Sequence, residues 1–204
     1  MRFFTGVLTC TILLAFATVA QTQTITKGDV NTWFLVVNRV NISDKFTLTN
    51  ELHERTGSFL SNQGTVIVRP SVDYHLQKGV ELSLGYSFVR SWPYVPYSQP
   101  IPRNEHNIWE QVMLKSNIGK VTLQHRFRFE QRWIGHIEAP ASPADEHYIN
   151  GTDYANRFRY RFIVSFDILK INKDRNSIFF SGFDELWINQ SNNFMPNSFA
   201  RNWL

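Results

Sequence analysis

"TLQHRFRFEQRW", Thr122–Trp133, places Arg126, Arg128 and Arg132 on one parity and Phe127, Phe129 and Trp133 on the other. A β-strand sends alternate side chains to opposite faces, so this stretch reads as a strand with a cationic face and an aromatic face. On a helix, at ~100° per residue, the arginines would not form one stripe with the aromatics opposite. Thr122, Gln124 and Glu130 share the arginine parity, so the polar face carries both signs of charge. The two faces meet different environments, and which environment lies on which side decides the fold.

The same alternation recurs along the chain. Thr32–Val40, Lys45–Arg55, Thr65–Leu76, Val80–Phe88, Asn107–Asn117, Val121–Trp133, Asn156–Phe166 and Ser177–Ile188 read as strands, the fifth and eighth less cleanly than the others. In the second, Phe46, Leu48 and Leu52 oppose Thr47, Thr49, Glu51, His53 and Arg55. In the fourth, Val80, Leu82, Leu84, Tyr86 and Phe88 oppose Glu81, Ser83, Gly85 and Ser87. In the seventh, Phe158, Tyr160, Phe162, Val164 and Phe166 oppose Arg157, Arg159 and Arg161. Pro70 removes a ladder donor from the third, so a bulge or local break is expected there. Several of these runs exceed the ~5–6 residues usual in soluble sheets and approach the ~9–11 that cross a bilayer at a tilt. No segment has a helical period.

The links alternate in length. Asn41–Asp44, Gln77–Gly79, Ile118–Lys120 and the somewhat longer Ile168–Asn176 are short, whereas Pro93–His106 and Gly135–Tyr154 are long and rich in proline or polar residues. Thr56–Gly64 is intermediate. Short turns at one end and longer loops at the other characterise transmembrane barrels of the outer-membrane type.

Composition narrows the context. Arg2 followed by the apolar run Val7–Ala20, ending Thr18-Val19-Ala20, reads as a secretory signal peptide over residues 1–20. Residues 21–204 then make a single domain. The one cysteine, Cys10, lies within the leader, so the exported domain has no disulfide. A net charge of +4 spread over 21 basic and 17 acidic residues gives nucleic-acid binding little support.

These features lead to an all-β expectation: an antiparallel up-and-down barrel of transmembrane type. Its apolar face would meet lipid, and its polar face would fill the interior. A soluble barrel would place the same two faces the other way round, and the pattern alone does not separate the cases; the leader, strand lengths and loop alternation favour the membrane. A narrow lumen cannot hold unpaired arginines. The expected interior network therefore comprises Glu51, Arg69, Asp73, Glu81, Arg126, Arg128, Glu130, Arg132, Arg157, Arg159, Arg161 and Glu185, with planar guanidinium forks gripping carboxylates. Aromatic girdles are expected from Trp33, Trp92, Tyr94, Tyr97, Trp109, Trp133, Tyr154 and Trp187 near strand ends.

The segments "ELHERTG", "VRPSVDYHL" with "ELSLGYSF", "RNEHNIWEQV", "LQHRFRFEQRW", "RFRYRF" and "FDELWIN" occur in an order that resembles the DUF2490 family of domains of unknown function, found largely in Bacteroidota. The resemblance spans Trp33–Leu204. It implies an outer-membrane β-barrel-like architecture, with ten strands in a complete member, and carries over no catalytic residue. Phe199–Leu204 reads as the start of a ninth strand, cut off, so the domain is expected to be truncated at its C-terminus.

The chemistry is sparse. The six histidines, His53, His75, His106, His125, His136 and His147, lack metal-ligand spacing, and no nucleophile elbow or phosphate-binding glycine loop occurs. Neither a metal nor a cofactor is expected. Two classes stay open. One is a non-enzymatic outer-membrane barrel, structural or accessory to an envelope assembly, with membrane lipid and other envelope proteins as partners. The other is a lipid-active hydrolase or acyltransferase whose rim site would use His53 with Ser58 or Ser61, or His136 with Ser142. A pore is a third and weaker possibility because eight to ten strands leave little lumen.

Overall fold

A computed structural model describes residues 31–94, 98–142, 144–171, 176–189 and 199–203. The leader expected over residues 1–20 and the girdle residue Tyr97 lie outside these. Nine strands follow one another in chain order: β1 (Thr32–Asn41), β2 (Phe46–Gly57), β3 (Asn62–Gln77), β4 (Val80–Ser91), β5 (Arg103–Ile118), β6 (Val121–Glu138), β7 (Tyr148–Ile171), β8 (Asn176–Asn189) and β9 (Phe199–Trp203). Each pairs antiparallel with the next in a single sheet of order β1 to β9, the up-and-down meander that the alternation predicts. Among the described residues no helix occurs.

The sheet is curled. Arg126 on β6 reaches over β7 to Glu185 on β8, and Arg39 on β1 reaches both Asp73 on β3 and Glu81 on β4. Residues from every strand between β1 and β8 line one shared cavity on the concave side. Among the described residues, β1 pairs with β2 alone and β9 with β8 alone, so the curled sheet has two open edges.

The direction of the curl separates the two faces by environment. Buried on the concave side are mostly polar groups, among them Thr47, Arg69, Asp73, Ser87, Asn107, Arg128, Glu130, Arg159 and Glu185, with Ile67, Trp109, Ile134 and Ala155 as the apolar exceptions among the described residues. The convex face exposes Phe46, Leu48, Leu52, Val72, Leu82, Leu84, Ile108, Val112 and Phe166. The polar parity of Thr122–Trp133 therefore faces inward and its aromatic parity outward.

Three details differ from the sequence reading. The strands run further than the alternation does. β6 has 18 residues and β7 has 24, roughly 80 Å for β7 at ~3.3 Å per residue, well beyond what a tilted bilayer crossing needs. Sequence stretches read as loops, Arg103–His106, Gly135–Glu138 and Tyr148–Tyr154, are paired strand instead. The link-length alternation weakens accordingly: Ser58–Ser61 joins β2 to β3 as briefly as Ile42–Lys45 joins β1 to β2, while the links over 92–102 and 139–147 stay long.

Pro70 is the third. It lies within an unbroken β3 and pairs with Asn50 on β2, yet neither it nor Arg69 has a ladder partner on β4, although Val68↔Phe88 and Ser71↔Gly85 keep one register on either side. The missing N–H thus interrupts the ladder locally without a bulge.

Candidate functional site

The concave face gathers its charge on β6, β7 and β8. Side chains two apart on neighbouring strands stand opposite one another, and the register sets Arg128 against Arg159 and Arg126 against Arg161. Like charges directly opposite are destabilising. Two carboxylates offset the repulsion. Glu130, completely buried, accepts from Arg157 Nε and, at 3.1 Å, from Arg159 Nη1. Glu185, 2 % exposed, accepts from Arg159 Nε at 2.9 Å, Arg161 Nη2 at 2.6 Å and Arg126 Nη2 at 2.5 Å. Arg159 bridges the two carboxylates. Trp187 lies beneath Arg157 and Arg159, their guanidinium carbons 4.8 and 4.5 Å from its ring centre.

A second branch runs through β5. Arg132 grips Glu105 with both Nε and Nη2, at 2.6 and 2.8 Å, the bidentate geometry in which a guanidinium is most specific. Arg128 differs: its Nε and Nη2 both donate to the neutral Gln111 Oε1, at 3.0 and 2.7 Å, and no carboxylate is within ion-pair distance among the described residues. Its guanidinium stacks 3.9 Å from the Trp109 ring centre. Trp109 Nε1 donates to Ser87 Oγ at 3.0 Å, which also accepts from Arg69 Nε at 3.0 Å, and Arg69 Nη1 reaches Glu51 at 3.1 Å. His53 Nε2 lies 3.1 Å from the same Glu51 oxygen.

Of the twelve residues expected from sequence, ten thus lie on the concave face between β2 and β8 in three neighbouring groups: Arg126, Glu130, Arg157, Arg159, Arg161 and Glu185; Arg132 with Glu105; and Arg128, Arg69 and Glu51 around Trp109 and Ser87. Asp73 and Glu81 lie apart, toward the short-turn end. Asp73 accepts from Thr49 Oγ1 at 2.5 Å and Ser71 Oγ at 3.3 Å, and Glu81 stands 3.3 Å from His75 Nδ1. Arg39 joins these two carboxylates at 3.6 and 3.5 Å.

Sequence reasoning missed Arg39, Glu105, Gln111, Ser87, Trp109 and Trp187 as members. Trp109 and Trp187 had been expected in an aromatic girdle; both are inward, and Trp109 is only 2 % exposed. Trp33 is also on the inward parity, stacked with Arg55 at 4.6 Å. Trp133 and Tyr154 do pair on the convex face, their rings 5.4 Å apart.

Among the described residues, no hydrogen bond joins a histidine to a serine. His53 contacts Glu51, and His136 Nδ1 lies 2.7 Å from Asp153 with Glu138 3.5 Å from its Nε2. His106 bonds Tyr86 and His125 bonds Tyr160 on the convex side. No cluster of three or more metal-ligating side chains occurs among the described residues.

A family model described as a protein of unknown function, DUF2490, matches residues 30–204, from the residue before Asn31 through the last strand. The chain belongs to the DUF2490 family. No curated protein and no solved structure matches it. The family description carries no activity, so the concave web itself is what remains to be read for function in this DUF2490 protein.

Proposed function

We propose that this chain forms the wall of an outer-membrane-type β-barrel, with its convex face against lipid and its arginine–carboxylate web filling the interior. The observation that carries the reading is the direction of curl. A sheet in water turns its apolar face inward, because burying that face is what drives folding. Here the concave side buries Glu130, Glu185, Arg128 and Arg159 while Leu84, Leu48 and Phe180 stand 59 %, 43 % and 51 % exposed on the other. Hydrocarbon is the solvent for which that arrangement is favourable. Trp133 and Tyr154, stacked on the convex face, fit an interfacial aromatic belt. In lipid, the backbone groups along β1 and β9 have to be paired, so this reading requires the sheet to close. With charged side chains crowding the concave side, such a barrel would be occluded rather than a pore, and its role structural or accessory to an envelope assembly. Expression of the full chain followed by separation of inner and outer membranes tests the proposal. The protein should sediment with the outer membrane, need detergent for extraction, and migrate faster on a gel unheated than boiled. A freely soluble periplasmic product would overturn it.

A further inference from the structure

We infer that the concave cavity is an anion-binding site for a phosphate-type oxyanion. The cavity measures about 250 Å³; among the described residues six arginines line it, with Glu51 and Glu105 as the carboxylates in its lining. Around it stand the guanidinium groups of Arg69, Arg126, Arg128, Arg132, Arg157, Arg159 and Arg161 and the carboxylates of Glu51, Glu105, Glu130 and Glu185, a surplus of three positive charges among these groups. Such a surplus in a shielded space is costly unless an anion enters it.

Hydrogen bonding shows the same deficit. Arg126 Nε and Arg161 Nε, on two of the arginines that line the cavity, are buried without an acceptor among the described residues; Arg128 Nη1, on an arginine outside the lining, is a third such donor. Buried donors are nearly always satisfied, and a guanidinium has five. The internal carboxylates are already shared: Glu185 serves three arginines and Glu130 two. What the cluster lacks is a multidentate acceptor bearing two or more negative charges. A tetrahedral phosphate group supplies several oxygens in the geometry that guanidinium forks recognise, and Arg161, with a side chain 26 % exposed, is the arginine through which it would first be met. The phosphate could belong to a lipid headgroup or to a free phosphate.

The test uses the full chain purified in a zwitterionic detergent and measures thermal stability and calorimetric binding. The probes are inorganic phosphate, phosphatidic acid in micelles, and phosphatidylcholine in micelles as the control whose phosphodiester is neutralised by its own quaternary ammonium and offers no phosphomonoester. Phosphate or phosphatidic acid should raise the melting temperature in a saturable way, and phosphatidylcholine should not. Saturation by phosphatidic acid alone assigns the site to a lipid headgroup, and by inorganic phosphate alone to a free ligand. Arg161→Gln should weaken binding at least about tenfold; Arg161→Lys should recover part of it, and Lys120→Gln, on the β5–β6 turn, should leave it unchanged. If Arg161→Gln does not fold, competition by sulfate against phosphate on the unaltered chain, together with phosphorus analysis of the protein as purified, decides the matter. No saturable effect of either phosphate probe on the unaltered chain, or an equal loss in Lys120→Gln, overturns the inference.

Discussion

Trp109 lies flat against the backbone of Gly85, its cross-strand partner, so closely that a Cβ at position 85 would fall 2.1 Å from the indole Cζ2 and 2.3 Å from Cε2. The same ring carries the Arg128 guanidinium, 3.9 Å from its centre. The glycine is therefore the floor on which the ring, and through it Arg128, is seated.

Gly85→Ala should be destabilising, because the indole is rigid and held by its bond to Ser87. Overpacking of this kind costs about 1–3 kcal/mol. Urea unfolding in detergent measures it. In a Trp109→Ala background the same substitution should cost much less, and equal costs in the two backgrounds would show that the contact is not responsible.

Glu185→Gln keeps the volume of the side chain but removes the charge shared by Arg126, Arg159 and Arg161. Breaking a buried ion-pair network at one member costs about 3–5 kcal/mol. Glu81→Gln, whose partner Arg39 is about half exposed, should cost under about 1 kcal/mol. A Glu185→Gln protein as stable as Glu81→Gln would mean that the web contributes little to folding.

Leu84 is 59 % exposed on the convex face. If lipid covers that face, Leu84→Arg should cost up to about 2–4 kcal/mol, depending on depth, and impair assembly into vesicles. In water the substitution would be almost neutral. Refolding yields into vesicles, compared for the two proteins, distinguish these outcomes.

His136 lies beyond the Trp133–Tyr154 belt. Its hydrogen bond to Asp153, reinforced by the charges of Asp153 and Glu138, raises its pKa above the ordinary 6.5. A raised histidine pKa stabilises the folded state fully below the unfolded value, and that contribution is lost as pH rises through the folded one. The strand ends around Gly135 and Thr152 should therefore loosen as pH rises through the raised His136 pKa. NMR titration should find the His136 midpoint above 6.5 and moving down toward it in Asp153→Asn; a midpoint unchanged by that substitution would contradict the assignment.

How much was legible beforehand depended on how uniform each face is. On β6 and β7 every inward position from Arg126 to Arg132 and from Arg157 to Arg161 is polar, with aromatic or aliphatic residues prominent between them, and the web could be named from parity alone. On β5 the signal is mixed. Trp109 and Met113 share the inward parity, while His106 and Glu110 take the outward one, where Glu110 accepts from Gln131 at 3.1 Å. Gln111 was consequently overlooked, and Glu105 fell in the stretch read as the Pro93–His106 loop, which is strand from Arg103. Strand ends were misjudged for a related reason. Around Asn150–Asp153 the two faces no longer differ in polarity, and hydrogen bonding alone extends the ladder. Which parity points inward was the choice that alternation could not make, since it is a property of curvature.

The reach of Arg126 over β7 to Glu185 bears on the order in which the sheet can form. The β6–β7 hairpin by itself sets arginine against arginine at two successive rungs, with Glu130 as the sole carboxylate in those rows. The neutralising charge for Arg126 and Arg161 resides on β8. A nascent hairpin would thus be electrostatically frustrated until β8 docks, and the last long strand acts as a latch that commits the two before it. Folding should be cooperative across β6, β7 and β8, with the rate-limiting step at the arrival of Glu185 and slowed when that residue is neutralised.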